Sequence, residues 1–276
     1  MSDATTHAEH DVLFQGTEQA ICCHRFDDVL VDPGPASSAD TLVASLPDDF
    51  ELRAVCLTHI HLDHAGATGV LLRRWPDAEV WVHERGAKHV IDPSRLVSSA
   101  TRLYGEERMR TLWGEIVPVD AAHVTALEGE SGSIGPFEWH YTPGHASHHA
   151  CYLHRDTGIA CCGDVAGVRV GDGPILPPTP PPDIDVEAWE RSAELVAAWD
   201  PSAVAIAHFG TFPDARHQLE TVISELHRLA EIARDGDEDV FVREIERRTG
   251  GSDAYFRAMP PDTLYGGLHR YWEKRA

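Results

Sequence analysis

The stretch THIHLDHAG, residues 58–66, places His59, His61, Asp63 and His64 directly after the apolar run Ala54-Val55-Cys56-Leu57. An apolar run this short, bounded by polar residues, reads as a strand. The four ligating side chains therefore sit where a strand ends and a loop begins. Along a regular strand, neighbouring side chains point to opposite faces, but at a strand end they can converge on one point. Neutral imidazole nitrogen and carboxylate oxygen are borderline-to-hard donors that suit zinc, manganese or iron. Four such groups packed beside an apolar strand with nothing to satisfy them would be costly, and a bound cation removes that cost.

The same logic recurs at three later strand ends. TPGHASHH (142–149) sets His145 after a Pro-Gly turn, CCGDVAG (161–167) sets Asp164 after an apolar run, and AIAHFG (205–210) does the same for His208. If these loops open on one edge, five histidines and two aspartates meet. That donor set is enough for two metals about 3.5 Å apart sharing a carboxylate. Of the 18 histidines in the chain, His7, His10, His24, His83, His89, His123, His140, His154, His217, His227 and His269 read as surface or satisfied core residues.

Around these motifs, strands and helices alternate, which argues for a layered α/β fold. Strands are expected at 21–26, 29–31, 54–57, 79–82, 116–119, 124–127, 137–141, 150–153, 159–162 and 203–207. Helices are expected at 38–46, 67–75, 185–199, 214–234 and 238–248. Residues 84–115, with Lys88, Arg95, Arg102, Tyr104, Arg108 and Arg110, read as a helical insertion. The stretch from Gly171 to Asp185 is too rich in proline and glycine for a helix or a central strand. The tail to Ala276, bearing Tyr255, Phe256, Tyr265 and Trp272, reads as a further helical piece over the site or the core.

Composition narrows the function. The 276 residues are 42% hydrophobic and 25% charged, which suits an ordinary globular protein. Lys plus Arg total 23 against 45 Asp plus Glu, a formal net charge of −22. Such a chain repels polyanions and gives little counterion-release drive for RNA. A small-molecule substrate is expected, with neither nucleic acid nor membrane as partner. There is no apolar run of membrane-spanning length, and MSDATTHAEHD lacks the basic start and apolar stretch of a secretory signal, so a cytoplasmic location is expected. The six cysteines, four of them in adjacent pairs, show no disulfide spacing and read as buried thiols. DVLFQG (11–16) resembles part of a protease-site tag, but no polyhistidine run accompanies it, and it is taken as native sequence.

The ordered set His59, His61, Asp63, His64, His145, Asp164 and His208 resembles the signature of the metallo-β-lactamase superfamily, H-x-H-x-D-H followed by a distant His, an Asp and a final His. The resemblance covers roughly residues 11–212. It implies an αβ/βα four-layer sandwich, taken as a domain over 1–212 with the helical insertion and a helical carboxy-terminal extension over 213–276. It also implies one metal on His59, His61 and His145, a second on Asp63, His64 and His208, and Asp164 as the bridge. Asp32, in VDPGP (31–35), is then a candidate to orient a ligand histidine, and His149 a candidate for either that role or packing, with His148 leaning to packing.

Two divalent cations sharing a water bring its pKa toward neutrality, so a bridging hydroxide is available as nucleophile at pH 7. Asp63 and Asp164 are the candidate catalytic carboxylates, with Asp63 able to pass a proton to the leaving group. The expected activity is dinuclear hydrolysis of a small ester, thioester or lactone, with zinc as the first choice and manganese or iron as others. The resemblance is to a glyoxalase II-like and lactonase-like ligand set. Common β-lactamases carry Cys or Ser where Asp164 stands, lactonases a tyrosine where Gly167 stands, and flavodiiron members a glutamate in place of His61. Glyoxalase II has a shorter interval between the fourth and fifth ligands, and its basic glutathione-binding pattern is not found here. Two alternatives remain open: a mononuclear iron persulfide dioxygenase using His59, His145 and Asp164, and a catalytically silent metal-binding sensor. Residues 84–115, the proline loop and the carboxy-terminal helices are expected to wall the pocket. Arg95, Arg102, Arg108 and Arg169 could meet an anionic group or be solvated.

Overall fold

A computed structural model describes residues 6–235 and 237–276. Residues 1–5, the start of the amino-terminal stretch considered above, lie outside the described residues with Gly236, as do the side chains of Leu103 and Tyr104. In chain order the first half comprises β1 (His7–Asp11), β2 (Cys22–Phe26), β3 (Val29–Val31), α1 (Ala39–Ser45), β4 (Ala54–Cys56), α2 (Leu62–Ala65), α3 (Thr68–Arg74), β5 (Glu79–His83), α4 (Glu84–Ile91), α5 (Ser94–Tyr104) and α6 (Glu106–Arg108). There follow β6 (Val124–Leu127), β7 (Ser131–Ile134), β8 (Phe137–Tyr141), β9 (Ala150–His154), β10 (Ile159–Val168), α7 (Val186–Ala198), β11 (Ala203–His208) and β12 (Gly210–Phe212). The chain closes with α8 (Ala215–Arg234), α9 (Glu238–Thr249), α10 (Asp253–Ala258) and α11 (Pro261–Glu273).

The described residues form two six-stranded sheets, ordered β1-β2-β3-β4-β5-β6 and β12-β11-β10-β9-β8-β7. In the first sheet β1, β2 and β3 pair antiparallel, and β3 to β6 pair parallel. The second sheet is antiparallel except for the parallel pair of β10 and β11. Short continuous apolar runs of this kind belong to strands covered on both faces. Alternation then assigns each residue to a layer. Val29, Val31, Ala54 and Cys56 face Phe137, Tyr152, Cys161 and Ala205 between the sheets. Leu30, Val55 and Leu57 face outward onto a cluster with Leu42, Leu71 and Val90 of α1, α3 and α4. Ala160, Cys162, Val204 and Ile206 face the other way, onto Trp189, Leu226, Phe241 and Leu268 of α7, α8, α9 and α11. Helix, sheet, sheet and helix are thus stacked in four layers, and all six cysteines are buried free thiols.

Some local expectations need correction. Ile116–Val119 is no strand. Pro118 has no N–H to give a ladder, the Val119 N–H goes to the Val90 carbonyl of α4 at 3.1 Å, and the Val117 carbonyl lies against Gly69 of α3. The one backbone donor of this segment with a partner among the described residues thus gives it to a helix and not to a sheet. Strands β1, β7 and β12 were not anticipated, because HAEHD, SGSI and GTF are too polar or too short to stand out; the fold therefore begins before residue 11. Within DVLFQG, Val12 and Phe14 are buried and the Phe14 ring stacks on Trp113 at 5.6 Å, so this segment is part of the fold. Insertion 84–115 is helical as expected, with α4, α5 and α6 followed by a wide helical turn over Met109–Trp113. No helix among the described residues is long and apolar enough to cross a membrane.

Because Phe241 is fully buried in the same cluster as β10 and β11, Phe241→Ala should cost the chain about 3–5 kcal/mol within one chemical-denaturation transition. A separate early transition for α8–α11 would show that they do not share this core.

His7 of β1 packs on Phe26 with ring centroids 4.7 Å apart and meets His24 Nδ1 through Nε2 at 3.3 Å. Burial, and then His24, push its pKa down to about 4. The unfolded chain binds this proton near the usual 6.5 and the folded chain does not, so stability is full above about 6.5 and is lost as pH falls toward 4. Hydrogen-exchange protection of β1 and β2 should fall across that window, and less so in His7→Phe.

Candidate metal centre

The ends of β4, β8 and β11 bring six of the anticipated side chains together with Asp164, which lies inside β10 because that strand runs on past Cys162 to Val168. His59, His61, His145 and Asp164 form one group, and Asp63, His64 and His208 another, with the ligating atoms of each group within 4.8 Å of one another. His59, His64, His145, Asp164 and His208 are buried, while His61 and Asp63 are half-exposed. Asp164 joins the groups through its two oxygens. Oδ2 lies 3.1 Å from His145 Nε2 and 3.9 Å from His59 Nε2, and Oδ1 lies 3.3 Å from His64 Nε2 and 3.4 Å from His208 Nε2. His61 turns Nδ1 toward His59 Nε2 at 3.0 Å and His145 Nε2 at 3.1 Å. Asp63 Oδ2 stands 3.6 Å from His64 Nε2 and 3.5 Å from His208 Nε2.

For four of the five ligand rings, His61 being the exception, the nitrogen turned away from the centre is tied to the scaffold. His145 Nδ1 donates to the Pro178 carbonyl at 2.9 Å, and His208 Nδ1 to the Ala20 carbonyl at 2.8 Å. A carbonyl can only accept, so each Nδ1 carries a proton and Nε2 is the nitrogen each ring offers to the centre. Asp32 does this for His64, whose Nδ1 lies 3.0 Å from Oδ2. Asp32 also accepts the Thr58 N–H at 2.8 Å and the Thr58 hydroxyl at 2.6 Å. Having donated its proton to Asp32, the Thr58 hydroxyl is left to accept from His59 Nδ1 at 3.1 Å. His149 stacks on His59 with centroids 5.0 Å apart and is held through Nδ1 by the Thr142 hydroxyl at 3.0 Å. His148 packs in parallel with the His59 ring at 6.1 Å.

Gly163, beside Asp164, has φ +48°, and a Cβ there would stand 2.4 Å from Thr58 Oγ1 and 2.8 Å from His149 Nε2. Only glycine gives β10 both this left-handed backbone and this close approach.

The electrostatics separate the rings. Burial, reinforced by neighbouring histidines, holds His59 well below the usual range, and burial followed by His145 brings His61 to about 4. Burial also lowers His145 and His149. For His64, burial is outweighed by Asp164, Asp63 and Asp32, which raise it well above 6.5. His208 is raised likewise, with Asp164 overcoming burial. Burial would raise both aspartates, but the facing histidines prevail, bringing Asp63 to about 2 and Asp164 well below the carboxylate range.

Divalent cations fit this donor set. The buried atoms His64 Nε2, His208 Nε2 and Asp164 Oδ1 have no hydrogen-bond partner among the described residues, and such orphans cost about 1–3 kcal/mol each. Contacts of 3.0–3.9 Å between these donors match the edge of roughly 3.3 Å expected when ligands stand about 2.05 Å from a tetrahedral ion.

Arg169 is committed elsewhere, to Asp214 at 2.9 Å and to the Phe212 ring, and Arg95, Arg102 and Arg108 are exposed. Among the other histidines, His24, His83 and His154 are buried and bonded to Ile206, Gly129 and Thr157. The sequence did not point to Thr58, Gly163, or the carbonyls of Ala20 and Pro178. A Thr before the motif and a Gly before Asp164 were visible signals; a backbone carbonyl leaves none.

Fold and site together define a class. Residues 27–208 match the model of the metallo-beta-lactamase superfamily, and the chain belongs to that superfamily. It is 30% identical over 189 residues, covering 66% of this chain and 68% of the relative, to the metallo-beta-lactamase fold-containing protein ST1585 of Sulfurisphaera tokodaii. It is also 30% identical over 153 residues to the hydroxyacylglutathione hydrolase of Legionella pneumophila (strain Lens), covering 52% of this chain and 46% of that enzyme, less than half the enzyme's length. The crystal structure of the metallo-beta-lactamase family protein TTHA1429 from Thermus thermophilus shares the fold at a TM-score of 0.67 and 17% identity, over 98% of this chain and 92% of that one.

Asp32→Ala would strip partners from His64 Nδ1 and both Thr58 donors. It should weaken metal binding by about 10- to 100-fold, read by competition with a chromophoric chelator.

Proposed function

We propose that the chain is a dinuclear metal-dependent hydrolase, with zinc as the first-choice metal, acting in the cytoplasm on a small ester, thioester or lactone. The observation that carries this reading is Asp164, a buried carboxylate whose two oxygens face two separate donor groups. His59, His61 and His145 would hold one ion, Asp63, His64 and His208 the other, and Asp164 both. When bound, such a pair supplies Lewis acidity and an acidified water near neutral pH.

The chain's own residues supply the rest. Pro178, Ala20, Thr58 and Asp32 fix which ring nitrogen faces the centre. Asp63 has 22% of its side chain exposed against 4% for Asp164, which makes it the site's carboxylate with access to solvent and the group suited to carry a proton to a leaving alkoxide or thiolate. The likeness to a hydroxyacylglutathione hydrolase supports the hydrolase class, and the net charge of −22 supports a small-molecule substrate over nucleic acid or an anionic membrane. We take residues 1–212 as the catalytic domain and 213–276 as its extension.

Elemental mass spectrometry on protein purified without chelator or added metal should find about two zinc or manganese ions per chain. Asp164→Ala should lower hydrolysis across an ester, thioester and lactone panel by more than the about 100-fold typical of losing an outer partner. One iron per chain, with oxygen consumed on a persulfide, would replace this reading with the dioxygenase. Two metals and no turnover on any substrate would favour a sensor.

A further inference from the structure

His145 owes its orientation to a carbonyl in the proline loop, and that loop is gripped by the end of the chain. Pro178, which accepts from His145 Nδ1, is followed by Thr179, fully buried, whose hydroxyl donates to the Leu264 carbonyl of α11 at 3.0 Å. One turn further along α11, Gly267 lies against the Thr179 backbone so closely that a Cβ would stand 2.0 Å from the Thr179 carbonyl oxygen and 2.9 Å from the Pro180 carbonyl carbon. Gly266, its neighbour, has room, since a Cβ there would meet only Pro181 Cγ at 3.9 Å. The grip continues on either side. Tyr255 of α10 donates to the Pro174 carbonyl at 2.5 Å and accepts the Val170 N–H at 3.1 Å, and Lys274 donates to the Pro182 carbonyl at 2.9 Å.

We propose that α11 is a positioning element for the metal centre, in which Gly267 and the Leu264 carbonyl seat Thr179 and thereby fix the Pro178 carbonyl that aims His145. The inference rests on the reading of His145 as a metal ligand. The Pro178 carbonyl lies in the peptide that precedes the Thr179 Cα, one Cα from the Thr179 carbonyl that Gly267 crowds, so displacing Thr179 carries the Pro178 carbonyl with it. With that acceptor moved, the His145 ring loses the bond that fixes its tautomer and direction, and the His59, His61 and His145 group loses its geometry. Such a displacement leaves His64 and His208 on their own supports, Asp32 and the Ala20 carbonyl. The effect is therefore confined to one of the two groups.

The test compares Gly267→Ala, Thr179→Val, Thr179→Ser, Gly266→Ala and His145→Ala in the full chain. Metal affinity is read by chelator competition, and site occupancy by the visible absorption of the cobalt-loaded protein. Gly267→Ala and Thr179→Val should each weaken one of two binding steps by about 10-fold or more and alter the cobalt bands, while Thr179→Ser, which keeps the hydroxyl, and Gly266→Ala should bind as the parent does. Should Gly267→Ala fail to fold, Thr179→Val decides, since it removes one hydroxyl and conserves volume. Parent-like affinity and bands in both variants, or in Thr179→Val alone when the other does not fold, would overturn the inference if His145→Ala still loses a metal. If His145→Ala keeps both metals, the ligand reading itself fails and takes the inference with it.

Discussion

Everything at the site follows from burying imidazole rings with one nitrogen aimed at an interior point. A buried ring nitrogen must have a partner, and a histidine has two nitrogens to satisfy. Here, for every ligand ring but His61, one of the two is spent on the scaffold, and different elements supply the partners. The Pro178 carbonyl comes from the proline loop, the Ala20 carbonyl from the approach to β2, and Asp32 from the end of β3. On the side of His64 and His208, the inward nitrogens and one oxygen of Asp164 are left without a hydrogen-bond partner among the described residues, a lack that a bound cation would fill. The four-layer fold suits this because loops from both sheets open on a common edge, so donors distant in sequence meet without long connections.

The electrostatic asymmetry of the two groups has the same origin. The first group holds three histidines whose pKa values are pushed down by burial first and then by neighbouring histidines, His64 among them. In the second, His64 is faced by Asp164, Asp63 and Asp32, and burial loses to three carboxylates. The first group therefore presents neutral lone pairs without help, whereas a cation at the second must displace a proton held by carboxylates. Metal binding releases protons wherever ligands are protonated beforehand, and the residues set that requirement unequally across a few ångströms.

Much of this was legible in the sequence, for a physical reason. Strands covered on both faces must be apolar throughout, so polar residues just beyond an apolar run stand out: His59 follows Leu57 by two positions, Asp164 follows Cys162 by two, and His208 follows Ala207, although β10 itself runs on through Asp164 to Val168. The supports were less visible. Backbone carbonyls carry no residue signature, so neither Ala20 nor Pro178 could be picked out, and α11 looked like a cover with no stated purpose. Ile116–Val119 misled because apolar composition alone does not tell a strand from an extended segment that packs against helices, as this one does on α3 and α4. Strands β1, β7 and β12 escaped for the opposite reason, since sheet edges tolerate polar and short segments.

Strand β10 shows how far local regularity yields to the site. Its pairing with β11 shifts register between Cys161 and Gly163 and again before Val168. A regular strand would keep its ladder intact, and an irregularity of this kind bends the strand and re-aims a side chain. The bend falls at Gly163, where the left-handed backbone and the nearness of Thr58 and His149 exclude any side chain. The residue that follows is Asp164, on which both donor groups converge. Thr58, which crowds Gly163, is also the residue that links Asp32 to His59. A larger residue at 163 would therefore disturb the aspartate shared by both groups and the hydroxyl that orients a histidine of the first, through a single steric contact.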